Sequence, residues 1–180
     1  IHSIDLNNKQ IININPSKEN FYIIEVDIRT NIIIEPIDIN YSQKIPKIII
    51  QTSKSTDVTL NKYNSIYSIL ELNPEYEYYF FDDIDCRKFI RENFNQTILN
   101  AYDILIPGAF KADLFRYCYL YINGGIYVDC KKICKKPFRD FIKQNDDMVL
   151  VKDIPLNAFY NAFMCITKTN IGLLNCINEI

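Results

Sequence analysis

The sequence has no tryptophan, one histidine and only four glycines among 180 residues. The lone histidine, His2, stands far from every cysteine, so a zinc site of mixed cysteine and histidine ligands is poorly provided for. The six cysteines, at 86, 118, 130, 134, 165 and 176, form no Cys-x-x-Cys pair. Their spacing fits neither a disulfide framework nor a metal knuckle, and they read as free, largely buried thiols. No run of about 20 apolar residues occurs, so the sequence contains no transmembrane helix. The formal net charge of −2 gives no case for binding nucleic acid or an anionic membrane surface.

Hydrophobic residues make up 48% of the chain, which places it among globular rather than disordered sequences. The length suits one main domain, able to bury about 70% of its unfolded surface. Residues 1–42 read as a β-rich N-terminal extension. They hold candidate strands at 21–29 and 31–39, the second an edge strand because of Pro36. The main domain, 43–180, opens with an apolar run at 45–50 that ends in Gln51 and Thr52, the pattern of a buried parallel strand. A helix is expected over 60–72 and stops before Pro74. A strand follows at 75–81, then a helix capped by Asp82 or Asp83 that runs through Arg91. Another helix is expected over 95–105. Pro107 suits the first turn of a further helix ending at Asn123, and Gly124-Gly125 supply its cap. Beyond lie a short helix at 137–144, strands at 148–152 and 158–167, and a helix from 169. Alternating strands and helices predict an α/β domain with a mostly parallel sheet flanked by helices.

The most informative stretch is GGIYVDCK, residues 124–131, preceded by the helix KADLFRYCYLYIN. A strand here delivers Asp129 to its exit, where open α/β sheets bind ligands. Asp113 and Arg116 are three residues apart and share a helix face. A carboxylate suits sugar hydroxyls, and a guanidinium suits phosphate as a forked donor. The plainer reading of the same pair is an exposed intrahelical ion pair. Phe110, Leu114, Tyr117 and Tyr121 read as the apolar stripe of that helix. Asp82, Asp83 and Asp85 are most simply explained as helix-capping residues.

Three blocks resemble glycosyltransferase family 32, the sugar-binding-region group with an Asp-x-Asp motif. IPKIIIQTSK (45–54) is similar to its first strand, and NPEYEYYFFDD (73–83) to its second. AYDILIPGAFKADLFRYCYLYINGGIYVD (101–129) is similar to its central helix and motif strand. The resemblance implies a GT-A-like nucleotide-diphospho-sugar transferase fold. It also implies transfer of a sugar from a UDP- or GDP-sugar to a glycan or protein acceptor, with retention and usually with manganese. By position, Gln51 and Thr52 would lie beside the base and Asp113 would hold sugar hydroxyls. Arg116 would contact sugar or diphosphate, and Asp129 would meet the ribose or the metal. Asp129 and Arg116 are thus the expected catalytic pair, with Lys131 completing the donor-binding set. Family members normally run on past the segment resembling 158–180, so the resemblance implies a domain incomplete on its acceptor side. The other reading is a non-catalytic sugar-nucleotide-binding or assembly module built on the same fold.

Three positions depart from the family pattern. Ile50 stands where histidine is usual, Ser53 where tryptophan is usual, and Lys131 where the second motif aspartate is usual. An ammonium has donors and no acceptor, so it cannot ligate a cation. Three consequences compete: a cationic side chain, Lys131 or Arg116, neutralises the diphosphate in place of a metal; the donor binds weakly and catalysis is lost; or Lys131 points away while Asp129 and a residue outside this chain hold the metal. Lys132, Lys135 and Lys136 add positive charge nearby and read most simply as a solvated loop.

Overall fold

The structure, a computed structural model, describes residues 3–5, 11–14, 42–153 and 158–179. The strands expected at 21–29 and 31–39 lie outside the described residues. Strands β1 (Ser3–Asp5) and β2 (Ile11–Ile14) pair antiparallel. β2 also lies parallel to a short strand, β4 (Asp57–Val58), that the sequence pattern does not announce.

The main sheet combines β3 (Ile48–Thr52), β5 (Glu77–Phe81), β6 (Gly125–Val128), β7 (Met148–Asp153) and β8 (Ala158–Ile166). Their order is β5-β3-β6-β8-β7. β3 pairs parallel with both β5 and β6, whereas β8 is antiparallel to β6 and to β7. Four strands therefore share one direction and β8 alone runs against them, so the expected mostly parallel sheet carries one inversion. That inversion follows from connection length. The segment between β7 and β8 is short, and a short connection joins antiparallel neighbours, whereas a parallel crossover needs a dozen residues or more.

The pleat sorts the sheet's side chains. Ile50, Tyr127, Met164 and Ile166 pack in a cluster with Leu114, Phe115, Cys118 and Leu120. These belong to α4 (Gly108–Asn123), which is covered in turn by α2 (Asp83–Asn93), α3 (Gln96–Ile104) and α5 (Ile171–Asn178). Ile49, Ile126, Val128 and Cys165 form a second cluster with Ile69 of α1 (Leu60–Leu72) and with Phe138 and Ile142. Both faces are thus covered, which is why the strands read as continuous apolar runs.

Local chemistry sets the ends of these elements. The Asp82 carboxylate accepts from the backbone N–H groups of Ile84 and Asp85, capping α2. Asn95 and Asn170 cap α3 and α5 in the same way. Pro107 is the residue just before α4 rather than inside its first turn. The helix expected at 137–144 shortens to one 3-10 turn, Phe138–Asp140. Phe110 also departs from expectation: it is exposed, and the face of α4 that packs on the sheet carries Leu114, Phe115, Cys118 and Leu120. Gly124 ends α4 at φ +68, and Gly125 follows at φ +111, both in the region that side chains disfavour. A Cβ on Gly125 would sit 2.7 Å from the Ile48 carbonyl oxygen, so only glycine lets β6 enter alongside β3.

Candidate active site

Strand β6 and helix α4 meet because Gly124 turns the chain straight from one into the other. Tyr127 points to the α4 side of the sheet, and period 2 places Asp129 on that side also. The two are joined: the Tyr127 hydroxyl donates to Asp129 Oδ1 at 2.8 Å. The backbone N–H of Asp129 donates to the Ala162 carbonyl at 2.9 Å, extending the β6–β8 ladder one residue past the strand end.

Arg116 occupies the centre. Its side chain is only 4% exposed, so it is not the surface ion pair that the sequence equally allows. Its guanidinium carbon lies 4.1 Å from the centroid of the Tyr127 ring. One terminal nitrogen reaches Asp113 Oδ1 at 3.0 Å and Asp129 Oδ1 at 3.4 Å. The other donates to the Asn161 carbonyl at 2.6 Å, and Nε donates to the Ala112 carbonyl at 3.1 Å. A guanidinium stacked on a ring and bonded at all three nitrogens is held by the protein itself. It positions two carboxylates, each about a third exposed at 32% and 38%, toward solvent at the strand ends.

Asn161 closes the arrangement from β8. Its side-chain amide donates to Asp113 Oδ1 at 3.2 Å and to the Tyr117 hydroxyl at 3.1 Å. Burial raises the Asp113 carboxyl above its ordinary 3.8; the positive Arg116 acts against this rise, and the negative Asp129 adds to it. Burial, with Asp129 adding, raises the Tyr127 hydroxyl well above its ordinary range, so it remains a protonated donor.

The residues at the end of β3 divide by the pleat. Thr52 faces the α4 side, its hydroxyl 3.2 Å from that of Tyr127. Gln51 faces the opposite side and is fully buried. Its amide nitrogen donates to the Ser65 hydroxyl at 3.3 Å, and its oxygen accepts from the Tyr78 hydroxyl at 2.8 Å. Consecutive strand residues face opposite ways, so the structure places Gln51 and Thr52 on opposite sides of the sheet, with the Gln51 amide bonded inside the fold.

Ser65 passes this support onward. Its hydroxyl donates to the Lys132 carbonyl at 2.6 Å, in the turn beyond Asp129. One turn along α1, Ser68 accepts from the Cys134 N–H at 2.9 Å. Asn73, just past the helix, accepts from the Phe138 N–H at 2.7 Å. The segment after the motif is thus pinned along α1, with Lys131 exposed in a turn closed by the Lys132 N–H to Asp129 carbonyl bond at 3.0 Å. Burial pushes the neighbouring Cys130 thiol up to about 12, which leaves it protonated and part of the core. All six cysteines are free, with Cys134 half-buried and Cys176 exposed.

The sequence pattern does not single out Asn161, Tyr127 or Ser65. The only signal for them is a polar or hydroxyl group inside an apolar stretch: Asn161 in AFYNAFMCI, Tyr127 in GGIYVD, Ser65 in the buried face of α1. Among the described residues no three His, Cys, Asp or Glu side chains converge as a metal cage would require. No described helix is long and apolar enough to cross a membrane.

These features can be set beside known proteins. The sequence is 37% identical over 102 residues to an uncharacterized glycosyltransferase of Acanthamoeba polyphaga mimivirus, a match covering 54% of this chain and 40% of that protein. It is 36% identical over 97 residues to inositol phosphoceramide mannosyltransferase 3 of Schizosaccharomyces pombe, covering 54% and 27%. It is 33% identical over 119 residues to the initiation-specific alpha-1,6-mannosyltransferase of Candida albicans, covering 62% and 30%. The matches span between about a quarter and two fifths of the length of these relatives. Among solved structures, the PaToxG glycosyltransferase superposes with a TM-score of 0.55 at 17% identity, covering 76% of this chain and 59% of that one. The α/β sheet flanked by helices thus has the GT-A-like fold that the resemblance implies. The profile of the glycosyltransferase sugar-binding region containing the DXD motif matches residues 57–150, just over half of the chain. That match takes in α4, β6 and Asp129 and begins after β3. On it, the chain belongs to the family of glycosyltransferases with a DXD-containing sugar-binding region.

Proposed function

We propose that this chain is the donor-binding part of a glycosyltransferase that moves a hexosyl group from a nucleotide-diphosphate sugar to a glycan, lipid or protein acceptor, with retention at the anomeric carbon. The observation that carries this reading is the convergence of Asp113, Asp129 and Thr52 at the carboxyl ends of β3 and β6, around one buried guanidinium. That edge of an α/β sheet is where ligands enter. Two of the relatives are mannosyltransferases by name, which supports a mannosyl donor as the first to test.

Asp113 and Asp129 are the groups that reach solvent, so they receive the hydroxyls of the sugar and ribose as acceptors. Thr52 Oγ1, 3.2 Å from the Tyr127 hydroxyl, contributes one donor or acceptor on the same side of the sheet. In the reaction the bond between the anomeric carbon and the diphosphate oxygen breaks, and a bond from that carbon to the acceptor oxygen forms on the same face. The acceptor's proton leaves with the diphosphate or with solvent. Arg116 acts by positioning, because its nitrogens are taken up by Asp113, Asp129, Asn161 and Ala112. Fixing both carboxylates in advance is the form of catalysis that this geometry supports best.

The test is release of free nucleotide from GDP-mannose, GDP-fucose, UDP-glucose, UDP-galactose and UDP-N-acetylglucosamine, with Asp129→Asn as the control. Release from at least one donor, lost in the variant, is the expected result; no release from any donor by folded protein overturns it. The second reading, a binding module without turnover, is favoured by Lys131 at a position where the family pattern has an acidic ligand. Nucleotide binding without release would identify it.

A further inference from the structure

A DXD-type site is expected to hold a divalent cation on the donor diphosphate, and the described side chains around Asp129 do not fit one. A hard cation seeks several oxygen ligands. Asp129 offers a single carboxylate, and its Oδ1 already accepts from the Tyr127 hydroxyl and pairs with Arg116. The nearest second carboxylate, Asp113, is paired to that same guanidinium and to Asn161. A cation placed between them would sit against a buried positive charge. The next site residue along the chain, Lys131, offers only donors.

The same geometry says which group takes the cation's place. Arg116 is excluded, since it is buried and bonded at every nitrogen. Lys132 lies with its ammonium 4.9 Å from the Tyr160 ring centroid, and Lys62 donates to the Ser53 hydroxyl at 2.6 Å. Lys131 is exposed and makes no ion pair or hydrogen bond with the described residues. Its backbone is nevertheless held firmly, in the turn from Asp129 to Lys132 that Ser65 ties to α1. The turn thus fixes the backbone of a lysine without other partners among the described residues close to the strand end, and its ammonium has three donors to offer a phosphate.

We infer that Lys131 neutralises the donor diphosphate directly, so that this site binds a nucleoside diphosphate without a divalent metal. The inference rests on the donor-binding reading above and deepens it. It replaces a metal bridge by charge-assisted hydrogen bonds from one lysine.

The experiment is calorimetric titration of the chain with UDP and GDP, and with UMP and GMP, each in excess chelator and again in manganese. The variants are Lys131→Gln, Lys131→Arg and Lys131→Asp. Because position 131 is exposed, all three should unfold at the wild-type temperature, and this is checked first. One diphosphate is expected to bind wild type equally in chelator and manganese. Lys131→Gln should weaken it by about tenfold or more while leaving the matching monophosphate nearly unchanged, and Lys131→Arg should restore most of the loss. Lys131→Asp should bind the diphosphate only when manganese is present. Diphosphate binding that disappears in chelator, or that Lys131→Gln leaves intact, overturns the inference while the donor-binding reading stands. Failure of all four nucleotides to bind wild type in either buffer overturns both.

Discussion

Asp113 and Asp129 lie on different elements, yet each places its Oδ1 on the same nitrogen of Arg116, at 3.0 and 3.4 Å. Two negative charges share one positive charge, and the group as a whole is left anionic at the edge of the sheet. The arrangement is stable only while the guanidinium stays in place, and that dependence can be measured.

Replacing Arg116 by alanine should destabilise the fold by about 2–4 kcal/mol, somewhat less than for a fully buried pair because both carboxylates keep contact with water. The stacking on Tyr127 is lost as well. Urea unfolding should show a lower midpoint at unchanged slope. Lysine at this position should recover part of the loss and none of the bond to the Ala112 carbonyl.

The Asp113 carboxyl should titrate above 3.8, because burial outweighs the pull of Arg116. The folded state then holds this proton more tightly than the unfolded chain. Its contribution to stability is largest below 3.8 and declines as pH rises through the folded midpoint. Asp129→Asn removes a repelling charge and should lower that midpoint. Carbon-detected titration of the Asp113 carboxyl tests both statements; a midpoint that stays put in the variant would falsify the coupling.

Tyr127→Phe keeps the ring beneath Arg116 and removes the hydroxyl that touches Asp129 and Thr52. We expect a stability loss of about 1 kcal/mol, since Asp129, about a third exposed, regains water. Donor turnover should fall more than stability, because Asp129 loses the bond that fixes its rotamer. Comparing the change in kcat/KM with the shift in urea midpoint separates the two effects.

Ser65→Ala leaves the Lys132 carbonyl and the Gln51 amide without their common partner. A buried unsatisfied group costs about 1–3 kcal/mol. The telling readout is local: hydrogen exchange should quicken over 130–138 while α4 stays protected. Uniform change across the chain would contradict the role given to Ser65.

Gly125→Ala adds a Cβ 2.7 Å from the Ile48 carbonyl oxygen, on a residue at φ +111. Backbone strain and overpacking together should cost about 3–5 kcal/mol and remove most soluble expression. Gly108→Ala is the control. A Cβ there meets nothing within 4 Å, and the change should be neutral or slightly stabilising.

Much of the fold was legible in the sequence. Helix α1 runs from Leu60 to Leu72 as its spacing predicts, and Asp82 is the cap that its place before α2 implies. Asp113 and Arg116 share a face because a three-residue step in a helix requires it. What the spacing could not reveal is the depth of that face. The same pair would look identical on an exposed helix, and only packing against β6 and β8 buries it. The roles of Gln51 and Thr52 also separate only in three dimensions, since the sequence shows neighbours and the sheet shows opposite faces. Asn161 was out of reach for a related reason: its partners lie more than forty residues earlier, brought close by the one strand that runs backwards.

That reversed strand has a consequence for the order of assembly. Because β8 runs against its neighbours, its first residues arrive at the edge where β3 and β6 end, and Asn161 comes with them. A growing chain that has already made α4 and β6 has the guanidinium and both carboxylates, but neither the carbonyl nor the amide that complete their bonding. The charged cluster therefore completes its bonding only when β8 is in place. Until β8 docks, one terminal nitrogen of Arg116 lacks the Asn161 carbonyl that it bonds in the finished fold.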